Sequence, residues 1–468
     1  MKKLIAILLT VALLCCVSCG GESTPAVTTN GDGATQPTPS TPDPEIDHTD
    51  YKALTNAKFA EISDAPASDF SCETGADGVT VTAYLGSAER VRIPSEIGGV
   101  AVVRIADGAF ADKTALKTLY IPDGVTSVGV GVLRGCTSLE ALHIPTVFAN
   151  ANGTRFIGYL FGGEEYADHL MCMPASLKFV RLGGGDPTVT ASAFAECEEL
   201  VCVLLSERTT TLSSFAFYGC KSLKYVNVEH LTKMDAYAFA SCQSLVRAEL
   251  GASMTNIGLG AFQGCASLSS VTVPFVGGSS GENTFFGYIF GAENAQYTAG
   301  FLPAYLRRVT VLDTCTSLGD YAFYECSSIQ TVTLSQGITT IGVRAFERCT
   351  SLTSVNLPAS LRHIRENAFV GCKALTSVTF GDQVDTLGVN AFYGCTSLRE
   401  IRLPQSLTHL PASAFADCRS LETVDLGGVT RVGKNAFHNC TAIRTVSAPA
   451  NVEFEDGNDT LKTAMGME

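Results

Sequence analysis

The strongest constraint on the fold of this 468-residue chain is a short motif that recurs along most of its length. The pair Ala-Phe recurs with Cys at the third position after the Phe, as in the segment from Ala391 to Cys395, in every copy but the first, which has Lys113 there. The step between neighbouring copies is constant to within one position, except for two longer steps, from Leu133 to Phe194 and from Phe262 to Phe323. Such a period indicates stacked repeats, because one copy is too short to bury its own apolar edge. The phenylalanines are Phe110, Phe194, Phe217, Phe239, Phe262, Phe323, Phe346, Phe369, Phe392, Phe415 and Phe437, and Leu133 fills the same position in one further copy.

Each copy contains the apolar spacing of one solenoid rung. Leu352, Val355 and Leu357 have the L-x-x-L-x-L spacing, which predicts a short strand with its last two apolar side chains inward. Pro358 ends that strand, because proline cannot donate to the ladder. The rest of the copy returns to the core through a second short strand and a tight helical turn around Phe369. The sequence therefore predicts a repeat solenoid of about twelve rungs.

The two long steps contain matching inserts, near residues 146–182 and 275–311. The string Gly-Tyr-Leu-Phe-Gly at 158–162 matches Gly-Tyr-Ile-Phe-Gly at 287–291. The offset between these strings equals the offset between Phe194 and Phe323, which indicates that a block of rungs was duplicated together with its insert. The aromatic residues of the inserts either pack on the solenoid, which we favour, or anchor a partner. The candidate anchors are Tyr159, Phe161, Tyr288 and Phe290.

The N-terminus has the features of an export signal. Lys2 and Lys3 precede an apolar run from Leu4 to Leu14, which is too short to span a bilayer. The sequence Val-Ser-Cys-Gly that follows resembles a bacterial lipobox, which implies cleavage after residue 18 and a lipid on Cys19. The alternative is ordinary secretion after cleavage near Ser18.

Composition divides the rest of the chain. Residues 19–65 are rich in Thr, Pro and Gly and predict a disordered tether between the lipid and the folded part. Residues 66–108 lack the Phe-Cys signature and predict an N-terminal cap. The solenoid is expected at 109–449, followed by a C-terminal tail at 450–468 that ends the stack.

The pattern I-x-x-x-A-F-x-G-C-x-S-L-x-x-V-x-L-P resembles the BspA-like branch of the leucine-rich repeats, over roughly residues 70–449. This resemblance implies a curved solenoid, with a parallel sheet on the concave face and short strands and helical turns on the other side. It also implies a role in adhesion to host proteins or to other cells. The family has no common catalytic residues.

Composition and cysteine spacing exclude several classes of function. The formal net charge of −14 argues against nucleic acid as a partner, because phosphate binding needs clustered Lys and Arg. Eleven of the 18 cysteines occupy one fixed position of the repeat. We therefore expect buried free thiols there, rather than disulfides or a metal site. No cofactor is expected.

No catalytic residue is predicted. The seven histidines are scattered, and the G-x-S-x-G string at 277–281 opens a Gly-rich insert without the helix that a nucleophile elbow needs. A less favoured alternative is a hydrolase or lyase on a parallel β-helix, which would need charged residues grouped on adjacent rungs.

The function favoured by the sequence is a cell-surface binding protein, either an adhesin or a capture protein for a protein or glycan ligand. Polysaccharide capture by a lipoprotein is the alternative within the binding class, and the only membrane contact expected is the lipid anchor. The exposed residue of each strand is expected to form the binding face. The candidates are Tyr120, His143, Asn227, Glu249, Asn356, Arg402 and Asp425.

Overall fold

The computed structural model describes residues 49–282 and 284–467. The predicted signal peptide, the lipidation candidate Cys19 and most of the tether lie outside these residues. The described residues belong to one compact unit.

One series of parallel strands runs along the molecule as three successive sheets, within which neighbouring strands are paired, and we call its solvent side the long-strand face. In each strand the apolar residues at alternate positions face the core, as with Val271 and Val273. The strands are Arg90–Arg92, Thr118–Tyr120, Ala141–Ile144, Phe179–Leu182, Cys202–Leu204, Tyr225–Val226, Arg247–Glu249, Ser270–Val273, Arg308–Val311, Thr331–Thr333, Ser354–Asn356, Glu400–Arg402, Thr423–Asp425 and Thr445–Ser447.

A second series of shorter parallel strands confirms the second strand predicted for each rung. Most have two residues, the second of which is buried, as with Ile341 and Ile364. The strands are Val100–Ile105, Ser127–Val128, Thr188–Val189, Thr211–Leu212, Lys233–Met234, Asn256–Ile257, Ser317–Leu318, Thr340–Ile341, His363–Ile364, Thr386–Leu387, His409–Leu410, Arg431–Val432 and Glu453–Phe454.

The solenoid has about sixteen turns, so the prediction of about twelve rungs was too low. Two of the additional turns are the inserts, and strand Arg90–Arg92 of the predicted cap, which pairs with Thr118–Tyr120, belongs to another. The 3-10 helix Ile157–Phe161 takes the place of the Ala-Phe turn, and its residue Leu160 accepts a hydrogen bond from the main-chain N–H of Leu133 at 2.7 Å. The 3-10 helix Phe286–Phe290 does the same in the second insert, through Ile289 and Phe262 at 2.9 Å.

The helical turns of the rungs stack through their phenylalanines. The ring of Phe369 lies 4.9 Å from the rings of both Phe346 and Phe392, nearly parallel to each. The turn also needs left-handed backbone at two positions, seen at Asn367 (φ 58°) and Gly371 (φ 70°). The second position explains the Gly that often precedes the Cys of the motif, since glycine adopts this conformation without a steric penalty.

The two ends of the stack are closed by elements outside the repeat. At the N-terminal end, the antiparallel strands Phe70–Thr74 and Val79–Tyr84 place the ring of Tyr84 on that of Phe110, 5.0 Å away. Strand Glu96–Ile97 and the 3-10 helix Ala67–Asp69 complete this cap. At the C-terminal end, Asn458 accepts a hydrogen bond from the N–H of Phe437 through Oδ1, just before helix α3 (Asp459–Ala464).

The tether was predicted to extend to residue 65, and the structure corrects this boundary. Helix α1 (Tyr51–Phe59) lies within the predicted tether and packs on the solenoid. The helix is held by contacts with distant rungs, and these are not visible in the local composition. A further short helix, α2 (His169–Cys172), follows the 3-10 helix Tyr166–Asp168 in the first insert, and a 3-10 helix Ala295–Gly300 lies in the second.

Candidate functional site

The long-strand face presents one outward side chain per strand, between two inward ones. The sheet register aligns these residues, so that Tyr120 pairs with His143, His143 with Arg181 and Arg181 with Leu204. We call this alignment the outer row. From the N-terminal end its members are Arg92, Tyr120, His143, Arg181, Leu204, Asn227, Glu249, Thr272, Thr310, Thr333, Asn356, Thr379, Arg402, Asp425 and Ser447.

Arg181 and Thr310 belong to this row although they were absent from the predicted binding face. Both lie on strands that follow the inserts and were therefore assigned to the inserts. A signal for them was present, because Leu177, Val180 and Leu182 repeat the spacing of the other rungs. The rungs were placed in the sequence by the Ala-Phe pair, and the turn that precedes each of these two strands lacks that pair.

Helix α1 lies across the N-terminal part of the outer row and covers Tyr120 and His143 there. Tyr120 and His143, predicted as exposed binding residues, are 8% and 0% exposed. Their rings stack on each other at 3.9 Å, and Phe59 of α1 packs edge-on against them at 6.4 and 6.0 Å. The guanidinium of Arg92 lies 4.0 Å from the Tyr120 ring. The prediction that Tyr120 and His143 are available to a ligand was therefore wrong, because a segment of the same chain covers them.

Polar contacts hold α1 near both of its ends. Asp50 caps the helix by accepting a hydrogen bond from the N–H of Ala53 at 2.8 Å. At the other end, the Arg90 guanidinium donates to the carbonyls of Lys58 and Ala60, both at 3.0 Å. Arg90 thus satisfies carbonyl groups that a helix C-terminus leaves unpaired.

An ion pair and a thiol join α1 to the strands beneath it. The Lys58 ammonium lies 3.0 Å from the Glu140 carboxylate. The thiol of Cys202 donates to the carbonyl of Tyr51 at 3.6 Å. Because exposed ion pairs contribute little, burial of Phe59 and the hydrogen bonds account for most of the docking.

Burial controls the charge of His143. Its Nε2 lies 3.1 Å from Oδ1 of Asp123, and its Nδ1 has no partner among the described residues. Burial lowers the pKa of His143, and this outweighs the opposite effect of Asp123. The hydrogen bond from His143 holds the pKa of Asp123 below its usual value, against the smaller effect of burial. His143 is therefore a neutral hydrogen-bond donor at neutral pH.

Asn227, another predicted binding residue, is also unavailable to a ligand. It is buried, and its Oδ1 accepts a hydrogen bond from the N–H of Leu205 while its Nδ2 donates to the Leu205 carbonyl at 3.0 Å. The side chain completes the backbone bonding between neighbouring rungs. This was not visible in the sequence, where Asn227 occupies the same repeat position as exposed residues.

The remaining predicted binding residues of the outer row are accessible to solvent. Glu249, Asn356 and Arg402 are exposed, and Asp425 is half-buried with one carboxylate oxygen accepting from the N–H of Gly427 at 3.1 Å. We call the outer row from Glu249 to Ser447 the open row. It is polar, carries both signs of charge and lies beyond α1.

The insert residues pack on the solenoid. Phe161 and Phe290 are 3% and 0% exposed and belong to the core, while Tyr159 and Tyr288 are partly buried against it. The two phenylalanines are thus not exposed anchors, because the 3-10 helices that carry them replace the turns of ordinary rungs.

The inserts also share a close contact that explains why both of their matching strings, at 158–162 and 287–291, begin with glycine. His169 and Thr298 occupy equivalent positions of the duplicated block and sit over Gly158 and Gly287. A Cβ on either glycine would lie 2.5 Å from Nδ1 of His169 or Oγ1 of Thr298. His169 donates from Nε2 to the Ala195 carbonyl at 2.7 Å, so it is a packed core residue, and burial lowers its pKa.

Function could also depend on three other kinds of feature among the described residues, namely a metal site, a nucleophilic serine and a membrane-spanning helix. Between residues 49 and 467, Asn283 apart, no three His, Cys, Asp or Glu residues are placed to share a metal ion. The G-x-S-x-G loop forms a serine turn, in which Oγ of Ser279 accepts from the N–H of Glu282 at 2.9 Å. None of the helices described here is both long enough and apolar enough to cross a membrane.

The repeating strand, short strand and helical turn define a leucine-rich-repeat solenoid. The family model described as "BspA type Leucine rich repeat region (6 copies)" matches residues 87–158, 174–289, 301–422 and 363–457. These matches span well over half of the chain, and the protein belongs to this family.

Solved structures of similar proteins come from several bacteria. A leucine-rich repeat protein from Bacteroides ovatus is 22% identical over 84% of this chain and 99% of its own, with a TM-score of 0.39. A leucine rich cell surface protein from Faecalibacterium prausnitzii is 23% identical over 78% and 94%, with a TM-score of 0.31. The pneumococcal vaccine antigen PcpA is 17% identical over 84% and 96%, with a TM-score of 0.28. No curated protein matches the chain significantly.

Proposed function

We propose that the protein is a binding protein displayed on the outside of a bacterial cell, where it captures a protein or glycan ligand through the long-strand face. The observation that supports this most directly is the open row. Its exposed side chains, including Glu249, Asn356 and Arg402, stand on paired strands at regular spacing. A ligand that binds there orders few protein groups, so the entropic cost of association is low.

The chemistry of the open row suits a polar ligand. Threonine, asparagine, aspartate and arginine side chains supply both donors and acceptors along one line. The strands that carry them are held by core residues such as Val332 and Ile401, which are 2% and 0% exposed. A long polar ligand, either a glycan chain or an extended segment of protein, matches this surface.

Display on the cell is the second part of the proposal and depends on Cys19. A lipid on this residue would hold the solenoid outside the membrane, behind a Thr- and Pro-rich segment of the sequence. Fractionation of cells that express the Cys19→Ala variant tests this part. The variant should leave the membrane fraction, and retention of intact protein in that fraction would contradict lipid anchoring.

Screening the purified mature protein against a glycan array and a panel of extracellular matrix proteins tests the binding function. A specific ligand with saturable affinity is expected. Failure to bind any member of either panel would count against ligand capture as the function.

A further inference from the structure

The N-terminal part of the long-strand face contains a cleft beside α1. The cleft has a volume of about 660 Å³, which lies within the usual range of ligand sites. Lys52 and Asn56 of α1 form one wall, Arg181 of the outer row forms the floor, and Arg208 comes from the loop after the next strand. We call it the basic cleft. Helix α1, which blocks part of the predicted binding face, thus supplies side chains to this site.

The cations of the basic cleft are not neutralised by ion pairs. Within residues 49–282 and 284–467, no carboxylate lies within ion-pair distance of Lys52, Arg181 or Arg208. Of the two acidic residues that line the cleft, Asp123 is engaged by His143 and Glu207 is exposed. The Arg181 guanidinium lies 5.8 Å from the Phe59 ring, but none of the three cations has an ion-pair partner in the described part of the chain. In a chain of net charge −14, three such cations indicate a site for an anionic group.

The floor of the cleft also exposes main chain. Gly183, Gly184 and Gly185 follow Arg181 and line the cleft. A Cβ on Gly183 would clash with the Asp123 carboxylate, and one on Gly184 would clash with the Pro145 carbonyl. Glycine is thus required at Gly183 and Gly184, because other groups of this chain fill the space beside them, and only Gly185 has exposed main chain.

We propose that the basic cleft binds an acidic oligosaccharide, with Arg181 and Arg208 on its carboxylates and Lys52 at a neighbouring charge. This rests on the proposed function and names the ligand class and a site for it on the same face. A guanidinium matches a carboxylate with two parallel hydrogen bonds. The Asn56 amide and the exposed main chain of Gly185 suit sugar hydroxyls. The lining residues are mostly polar, so the cleft offers no apolar pocket of the kind in which peptide side chains anchor.

Isothermal titration of the mature protein with tetragalacturonate tests the proposal. The double variant Lys52→Gln, Arg208→Gln should bind at least tenfold more weakly, because each substitution removes a charge-assisted hydrogen bond. Both side chains are exposed, so the melting temperature should not change. Arg208→Lys should keep part of the affinity. Arg365→Gln is the matched control, since Arg365 is exposed and lies after the short strand of its rung.

Two further probes separate the possible outcomes. Methyl-esterified tetragalacturonate, which lacks the charges, should bind at least tenfold more weakly than the acid form. Tetraglutamate carries the same charges on a peptide, and tighter binding of this peptide than of the sugar would overturn the assignment to a glycan. Equal affinity of the double variant and the parent for tetragalacturonate would overturn the site. No binding of tetragalacturonate would overturn the inference, while the ligand screen would still decide the proposed function.

Discussion

The thiol of Cys372 donates a hydrogen bond to the main-chain carbonyl of Phe346, one turn earlier, with 3.1 Å between sulfur and oxygen. The same contact joins most neighbouring turns, as between Cys349 and Phe323 at 3.0 Å. The repeated cysteine is therefore a donor that links turns as well as a small core residue. All fifteen cysteines in the described part of the chain are free, and those at the repeated position are buried, as predicted.

Alkylation should distinguish these buried thiols from the exposed one. Burial raises the pKa of Cys265 to about 12 and holds the pKa of Cys372 well above the usual range, so neither forms the reactive thiolate at neutral pH. Iodoacetamide and mass spectrometry of the native protein should find Cys72 modified first, since it is exposed. Modification of Cys265 or Cys372 at the rate of Cys72 would show that the thiols are accessible.

Removing one ring from the phenylalanine stack should destabilise the solenoid. Phe369 is fully buried between two other rings, and Phe369→Ala should lower the free energy of unfolding by about 3–5 kcal/mol. Tyr393 of the next turn is 40% exposed, and Tyr393→Ala should cost less than about 1 kcal/mol. Urea unfolding of both variants measures the difference. A loss below about 1 kcal/mol for Phe369→Ala would show that this ring is not a core element.

Acid should weaken the docking of α1 through His143. The folded state lowers the pKa of His143, so the unfolded chain binds this proton more tightly, and the stability from neutral His143 is lost as pH falls below about 6.5. His143→Gln keeps a donor for Asp123 and removes the titration. Between pH 7 and 5, hydrogen exchange of residues 51–59 should accelerate less in His143→Gln than in the parent. The same acceleration in both proteins would exclude His143 as the cause.

The repeat made the core predictable from the sequence, because the positions of Phe369, Cys372 and their equivalents follow the period directly. The number of turns was not predictable in this way. At the inserts, residues such as Leu160 and Phe161 fill the turn without the Ala-Phe pair. Main-chain hydrogen bonds define the turn there, so different side chains can occupy a turn of the same backbone conformation.

The exposed surface was predictable only in part. Repeat position assigned Tyr120 and Arg402 to the same outward row, and the strand register aligns Tyr120 with His143 and Arg402 with Asp425. Which row members stay exposed depends in part on α1, in which Phe59 is the buried large apolar residue and Leu54 is exposed. The docking of α1 relies on Phe59 and on partners far away in the chain, such as Arg90. The local sequence of residues 51–59 does not reveal such contacts.

The most direct test of ligand capture by the long-strand face compares two threonines of one rung. Thr379 lies in the open row and Thr386 on the short strand that follows, and both are exposed. Arginine at either position should leave folding unchanged, since neither side chain is buried. For the ligand that the screen identifies, we expect Thr379→Arg to weaken binding at least tenfold and Thr386→Arg to leave the affinity unchanged. Equal affinities of the two variants and the parent would contradict binding through the open row.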